Sequence, residues 1–383
     1  MTATATELVL TNARIVLVDG VVEGTLVARD GRVAEISEGS VAAGIDCAGD
    51  YLVPGLVELH TDHLESHYAP RPGVRWNPIA AIQAHDAQIV SSGITTVFDA
   101  LRVGSDADSK QLGREMRTLA VAIDGARGAG RLRADHLIHL RCELSASDAA
   151  EEAEPFFADP NVRLVSLMDH TPGQRQFVRL DKFKEYYQGK SGMSDTEMDA
   201  FIEERLRMHS LYSAANRSSV VAACNEAGIV LASHDDATPA HVREAIGDGV
   251  AIAEFPTTVE AARVAHENGL KVLMGAPNVV RGGSHSGNVS ALELAHQGLL
   301  DVLSSDYVPF SLVQAAFVLP RLARELSLAD AIRLVTANPA EAVGLADRGR
   351  LEPGRRADIV RVADDGSGVP IVREVWREGR RVA

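Results

Sequence analysis

The stretch Leu52-Val53-Pro54-Gly55-Leu56-Val57-Glu58-Leu59-His60-Thr61-Asp62-His63 decides how this chain is read. Leu52 to Leu59 is mostly apolar, the pattern of a buried strand, and Pro54-Gly55 marks the turn leading into it. The apolar run then breaks into His60, Asp62 and His63. Residues two apart on a strand point the same way, so His60 and Asp62 face one spot just beyond its C-terminal end. An imidazole and a carboxylate at that spacing suit a divalent metal. A polar loop with a stray histidine has the same spelling, and the pair alone does not separate the two.

Working outward, the 383 residues are too many for one small core and match a barrel of about 250 residues plus a smaller domain. A hydrophobic content of 46% and a mean hydropathy of -0.01 imply a globular, soluble chain. No apolar stretch approaches the ~20 residues that span a bilayer, so no membrane partner is expected. The start, Met1-Thr2-Ala3-Thr4-Ala5-Thr6-Glu7, lacks the positive n-region and apolar core of a signal peptide. Cys47, Cys142 and Cys224 are scattered with no CxxC, which argues for a reducing, cytoplasmic setting. The net charge of -15, with no basic helix or lysine-rich tail, argues against nucleic acid as a partner. A homo-oligomer is compatible with all of this.

The two ends read as β structure. Leu8–Leu10, Arg14–Val18, Gly24–Arg29 and Arg32–Ile36 are short strand patterns, with hairpin signals at Asp19-Gly20 and Asp30-Gly31. Asp358–Val362, Val369–Arg373 and Val375–Val382 repeat the style. The expected domain is therefore composite, residues 1–53 plus 346–383, with residues 54–345 inserted as a barrel. In that middle, eight strand-like runs alternate with helical patterns: Leu52–Leu59, Thr95–Ala100, His136–Cys142, Val162–Leu167, Ile229–Ala232, Val250–Ala253, Lys271–Met274 and Leu300–Leu303. Ala80–Ser92, Ala240–Gly247, Val259–Asn268 and Leu328–Thr336 are among the helices, the last with Ser327 as its N-cap. Such alternation predicts an α/β protein with a (β/α)8 barrel. Residues 173–227 are too long for a plain connection, and the capping-box spelling Ser194-Asp195-Thr196-Glu197 predicts extra helices there.

Chemistry in such barrels sits at the C-terminal ends of the strands. Those ends carry His60 and Asp62, Asp99, Arg141 and Glu143, Asp169 and His170, His234 with Asp235 and Asp236, Glu254, then Asn278, Arg281 and His285, and last Asp306. A single charged residue after a strand is most often a helix cap or a solvated turn. Nearly every strand ending in Asp, Glu or His is different, because those groups converging on one face are poorly solvated without a cation. One or two divalent ions resolve that: zinc suits the mixed N and O donors, and manganese and iron remain alternatives.

Longer blocks carry a specific resemblance. Glu58–Asp62, Pro70-Arg71-Pro72-Gly73-Val74-Arg75-Trp76, His139–Leu144, Ser166–Phe177, Ala232–Thr238, Glu254–Thr258, Leu273–Asn288 and Ser304–Tyr307 resemble the diphosphatases of the carbon–phosphorus lyase pathway, within the amidohydrolase superfamily. That family acts on a ribose methylphosphonate triphosphate. The resemblance implies metal ligands at His60, Asp62, His170, His234 and Asp306, with Glu143 as a bridging carboxylate, and a last-strand Asp306 that takes the proton of the attacking water. Asp169 and His170 are adjacent and point to opposite faces of a regular strand, so one of them is expected to reach the metals. The departures are local: His63 stands where the family usually has Asn, and Glu65-Ser66-His67 where a lysine is common.

A triphosphate substrate also needs cations and backbone N–H groups. The Gly/Ser loop Arg281–Asn288, with Asn278, Arg281, Ser284 and His285, offers both. Arg71, Arg75, Arg102, Arg141, Arg175 and Arg179 lie near the strand-end blocks, and guanidinium groups bind phosphate bidentately. Of these, Arg71, Arg75, Arg141 and Arg175 are the expected substrate contacts. The expected function is metal-dependent hydrolysis of a small-molecule triphosphate with release of pyrophosphate. Hydrolysis of a C–N bond, as in deacetylases or dihydroorotases, needs the same metals and Asp306 but fewer cations.

Overall fold

A computed structural model of the chain describes residues 7–104, 112–175, 180–284 and 287–383. The N-terminal segment forms β1 (Glu7–Leu17), β2 (Gly20–Arg29), β3 (Arg32–Glu38), β4 (Ile45–Asp46) and β5 (Tyr51–Pro54). Asp30 and Gly31 take positive φ, 50° and 79°, at the tight turn between β2 and β3. The patterns Leu8–Leu10 and Arg14–Val18 belong to one strand, β1, which a bulge between Leu10 and Ala13 divides in the sequence.

The middle of the chain supplies eight strands: β6 (Leu56–Thr61), β7 (Ile94–Val103), β8 (Asp135–Glu143), β9 (Val162–Met168), β10 (Val230–His234), β11 (Ile252–Glu254), β12 (Lys271–Gly275) and β13 (Val302–Ser304). They join in chain order, and Thr61 of β6 bridges in parallel to Asp306, just past β13. This is the expected TIM-like barrel, and each expected run has its strand. The C-terminal segment adds β14 (Ile359–Ala363), β15 (Ile371–Arg377) and β16 (Arg380–Arg381). They complete a mixed, sandwich-like sheet of both termini in the order β16-β15-β14-β5-β1-β2-β3, with β4 beside β1. Leu10, Ile15, Leu26, Leu52, Ile359 and Trp376 form its buried core.

The structure corrects one strand of the sequence reading. Leu52–Leu59 is not continuous: β5 pairs with β1 and β14, whereas β6 pairs with β7. Gly55 is the crossing point. Its N–H donates to Asp358 O at 2.8 Å, and a Cβ there would lie 2.2 Å from Thr95 Oγ1 and 2.9 Å from Asp358 Cβ. Only glycine lets the chain pass from one sheet to the other in a single residue.

The helix expected over Leu328–Thr336 ends at Arg333. The carbonyls of Leu334 and Val335 accept instead from Leu303 and Val57 N–H, so the chain leaves the helix to bond the starts of β13 and β6. The excursion folds as helices Leu180–Ser191, Asp195–Met208 and Ala214–Ala227, with a π turn at His209–Ser213. Ser194 and Glu197 form the capping box, and Phe183, Met198 and Ile202 make a small core of their own.

By compactness the polypeptide divides into one unit of residues 1–99, 125–137 and 274–383 and another of residues 100–124 and 138–273. Within the first, Asp135 at the start of β8 accepts from Arg348, Arg356 and Arg377 at 2.8, 2.7 and 2.7 Å. Burial pushes its carboxyl up, but the three guanidinium groups outweigh this and hold it below the usual range.

Two outcomes are expected. Gly55→Ala should lower unfolding free energy by about 2–3 kcal/mol in denaturant titration, because the added carbon has no room. Asp135→Asn should cost about 2 kcal/mol at pH 7, because three arginines lose the carboxylate they share. A depressed carboxyl stabilises the fold above its unfolded pKa and loses that contribution as pH falls through its folded pKa. The gap between Asp135→Asn and the parent should therefore close below about pH 4.

Candidate metal centre

In the first unit the site is built on the end of β6. Glu58 faces inward from an apolar strand and is fully buried. Its two carboxylate oxygens accept from His60 N–H at 2.7 Å and Ser305 N–H at 2.5 Å. Burial pushes this carboxyl up to about 7, even though those hydrogen bonds favour the ionised form. Just beyond, Asp306 N–H donates to His60 O and Asp62 N–H to Asp306 O, both at 3.1 Å. Asp306 holds a left-handed φ of 54°, a costly backbone state that aims its side chain back over β6. The result brings together donor atoms of His60, Asp62 and Asp306 within 4.8 Å of one another. His60 Nε2 and Asp62 Oδ1 are 3.9 Å apart.

In the second unit the ends of β8, β9, β10 and β11 meet. His234 Nδ1 lies 3.2 Å from Glu254 Oε2, which leaves Nε2 facing Asp235 Oδ2 at 3.4 Å. His170 Nε2 approaches the same Asp235 oxygen at 3.9 Å. Asp235 also has a left-handed φ, 57°, fixed by its N–H bond to Glu254 O. Its Oδ2 is buried and has no hydrogen-bond partner, and burial pushes its carboxyl up. Burial also lowers the His234 pKa, so its imidazole is neutral. Two imidazoles and an unpartnered carboxylate oxygen fit a divalent ion. Donors bound at about 2.0–2.2 Å in a tetrahedron stand about 3.4 Å apart, close to the spacing here. Glu254 acts behind His234 by fixing its tautomer, as carboxylates do for metal-bound histidines. It also accepts from Ser166 Oγ at 2.6 Å, and Ser166 in turn hydrogen-bonds His139.

Glu143 is fully buried in this unit. It contacts His170 Nδ1 at 2.5 Å, accepts from His170 N–H and Ser145 Oγ, and pairs with Arg102 at 3.1 Å and Arg205 at 3.8 Å. Burial raises its carboxyl, but His170, Arg102 and Arg205 outweigh this and hold it well below the usual range. Of the adjacent pair Asp169 and His170, the first is turned away: its Oδ2 takes bonds from His209 and Ser213.

The phosphate candidates are distributed unevenly. Arg141 lies near enough to His234 and Asp235 to lower the pKa of both. Arg175 is buried, bonded to Asp236 and, at 2.8 Å, to Glu244, so its fork is spent within the fold. Arg71 is exposed in a short bridge with Val74, and Arg75 sits over the Tyr68 ring. Exposed Arg281 reaches Tyr307 Oη at 3.5 Å. Asn278 Oδ1 caps Ala291 N–H, and Ser284 Oγ accepts from Asn288 N–H. His285 and Arg179 lie outside the described residues.

Sequence reading missed Glu58, Arg205 and His209, and underrated Asp235. Glu58 carried a signal, a lone carboxylate inside an apolar strand. Arg205 and His209 carried none, because they come from the excursion and only folding brings them to Glu143 and Asp169.

The "Amidohydrolase family" model matches residues 167–383. Together with the barrel and its strand-end donors, this places the chain in the amidohydrolase family, whose members depend on metals. Within it, the chain is 46% identical over 378 residues to the alpha-D-ribose 1-methylphosphonate 5-triphosphate diphosphatase of Escherichia coli (strain K12), covering 98% of this chain and 100% of that protein, and so belongs to that diphosphatase family. It is also 30% identical over 252 residues to an imidazolonepropionase of Acidiphilium cryptum, 61% of this chain and 57% of that one. Among solved structures, 5-methylcytosine deaminase of Klebsiella pneumoniae superposes with a TM-score of 0.65 at 15% identity, over 98% of each chain. N-acetylglucosamine-6-phosphate deacetylase of Thermotoga maritima gives 0.62 at 14%, over 98% and 99%. These two likenesses support the fold. Among the described residues no helix is long and apolar enough to cross a membrane.

Glu58→Ala should leave two buried N–H groups without acceptors, at a cost of about 2–4 kcal/mol in stability. Metal retained after dialysis, measured by atomic emission, should fall with it, since the same bonds position His60 and Asp306.

Proposed function

We propose that this chain is a metal-dependent diphosphatase that hydrolyses alpha-D-ribose 1-methylphosphonate 5-triphosphate to the 5-phosphate and pyrophosphate, in phosphonate catabolism. The observation that carries the reading is the 46% identity, end to end, to a protein named for that activity. Arg141 beside the His234–Asp235 donors supports it, because a polyphosphate needs a cation next to its metals.

In this reading His60, Asp62 and Asp306 hold one ion, and His170, His234 and Asp235 or Glu143 a second. Zinc is the first choice for these donors, with manganese and iron as alternatives. When bound, such ions lower the pKa of water and neutralise phosphoryl charge. Asp306 accepts the proton of the attacking water, its carboxylate aimed by the left-handed backbone and the His60 contact. Arg141 of the second unit is one phosphate-binding candidate, and Arg281 with the backbone of Gly282 to Ser284 is another, in the first unit. Asn278 fixes that loop through Ala291, while Arg175 braces Asp236 rather than touching substrate. Glu143 orients His170 and keeps it from rotating. The buried thiols suit a reducing, cytoplasmic setting.

Pyrophosphate release from the ribosyl triphosphate by the metal-loaded protein tests this. Asp306→Asn should lower kcat by about 10²–10⁴-fold while the protein stays folded. Arg281→Ala should raise KM about tenfold, near 1.4 kcal/mol of lost phosphate contact, with kcat little changed. Metal-replete protein that leaves the triphosphate intact but cleaves N-acyl substrates would contradict the proposal.

A further inference from the structure

The helical excursion reaches the strand ends of the second unit through a row of polar side chains. Arg205, in helix Asp195–Met208, approaches Glu143 Oε1 at 3.8 Å. One turn further on, His209 Nδ1 lies 2.7 Å from Asp169 Oδ2. Ser213 Oγ donates to the same Asp169 oxygen at 2.8 Å. Asn216 Nδ2 donates to Leu144 O and Ala146 O at 2.9 and 2.7 Å. His209 and Ser213 bound a π turn between two α-helices. Such turns are rare, and they concentrate at functional sites.

His209 differs from the rest of this row. Arg205, Ser213 and Asn216 end on acceptors of the fold itself, whereas the imidazole uses only Nδ1. Among the described residues its Nε2 has no hydrogen-bond partner, and the side chain keeps 32% of its surface exposed. Bracing Asp169 does not require the ring, because Ser213 fills one carboxylate oxygen and Thr171 N–H the other, at 3.1 Å. A protonated imidazole that donates from Nδ1 to Asp169 presents its second N–H at Nε2.

The groups around His209 stand next to the metal donors of this unit. Asp169 directly precedes His170. The charges of Arg175 and Glu244 act on the His209 ring, and Arg175 is bonded to Asp236, the residue after Asp235. His209 therefore lies by the ends of β9 and β10, where donor atoms of His170, His234 and Asp235 come within 4.8 Å of one another. The hydrogen bond to Asp169 raises the His209 pKa; partial burial and Arg175 oppose this, and Glu244 adds to it. The ring thus keeps its charge to higher pH than a free imidazole. A cation with an open N–H beside metal donors suits an incoming phosphoryl oxygen.

We propose that His209 binds the phosphate chain of the substrate, donating from Nε2 to a phosphoryl oxygen beside the His170–His234–Asp235 group. Asp169 and Ser213 hold the ring in place. The ligand class is a polyphosphate chain, and the assignment rests on the diphosphatase reading above. The excursion then supplies a substrate contact, so selection of a polyphosphate involves a segment outside the eight strands.

Steady-state kinetics with the ribosyl triphosphate, and calorimetric titration with inorganic tripolyphosphate, test this on the metal-loaded full chain. In His209→Gln, KM and the tripolyphosphate Kd should each rise about tenfold, as for one lost charge-assisted contact, with a smaller effect on kcat. Affinity of the parent for tripolyphosphate should weaken as pH rises through the raised His209 pKa, and His209→Gln should lack that step. Metal content and melting temperature should match the parent, and His209→Asn repeats the comparison if His209→Gln is unstable. Unchanged KM and Kd would overturn the assignment. So would weaker binding that tracks lost metal, because His209 would then act through Asp169 and His170 rather than on substrate. A parent that neither cleaves the triphosphate nor binds tripolyphosphate would sink the diphosphatase reading and this inference together, whereas an active parent with an unaltered variant would sink this inference alone.

Discussion

The buried Glu58 carboxylate is the constraint on which the rest of the first unit's site depends. It sits inside a strand that is otherwise apolar, and it holds the N–H groups of His60 and Ser305 at once. Those bonds join the first and last barrel strands at their C-terminal ends. The unit's candidate metal donors hang from that seam: His60 and Asp62 on one side, Asp306 on the other. A carboxyl pushed up to about 7 by burial is an expensive way to tie two strands, and its ionisation is destabilising relative to a solvated acid.

The second unit solves the same problem differently. Glu143 is matched by Arg102, Arg205 and His170, so its charge is kept rather than suppressed. Asp235 has no such escort and keeps an oxygen open toward two imidazoles. Left-handed backbone at Asp235, Phe255 and Asp306 marks the ends of β10, β11 and β13 alike. Strain repeated at three strand ends is characteristic of a face selected for chemistry rather than for stability.

Much of this was legible in the sequence. Eight apolar runs with polar ends implied the barrel, and the strand patterns at both termini implied their shared sheet. What escaped was set by contacts distant in sequence. Leu52–Leu59 reads as one strand because apolar periodicity is blind to the sheet a residue joins; only the crowding of Gly55 by Thr95 and Asp358 separates β5 from β6. Arg175 reads as a phosphate ligand from its motif, yet Asp236 and Glu244 occupy it. His63 and His67 could be read from the sequence as ligands, substrate contacts or loop residues, because only folding brings His85 against them.

Anomalous diffraction at the absorption edges of the bound metals, from crystals of active protein, tests most directly whether the strand-end donors are a metal centre. Peaks are expected within about 2.0–2.3 Å of donor atoms of His60, Asp62 and Asp306 and of His170, His234 and Asp235. Protein that turns over its substrate with no metal peak at either group would contradict it.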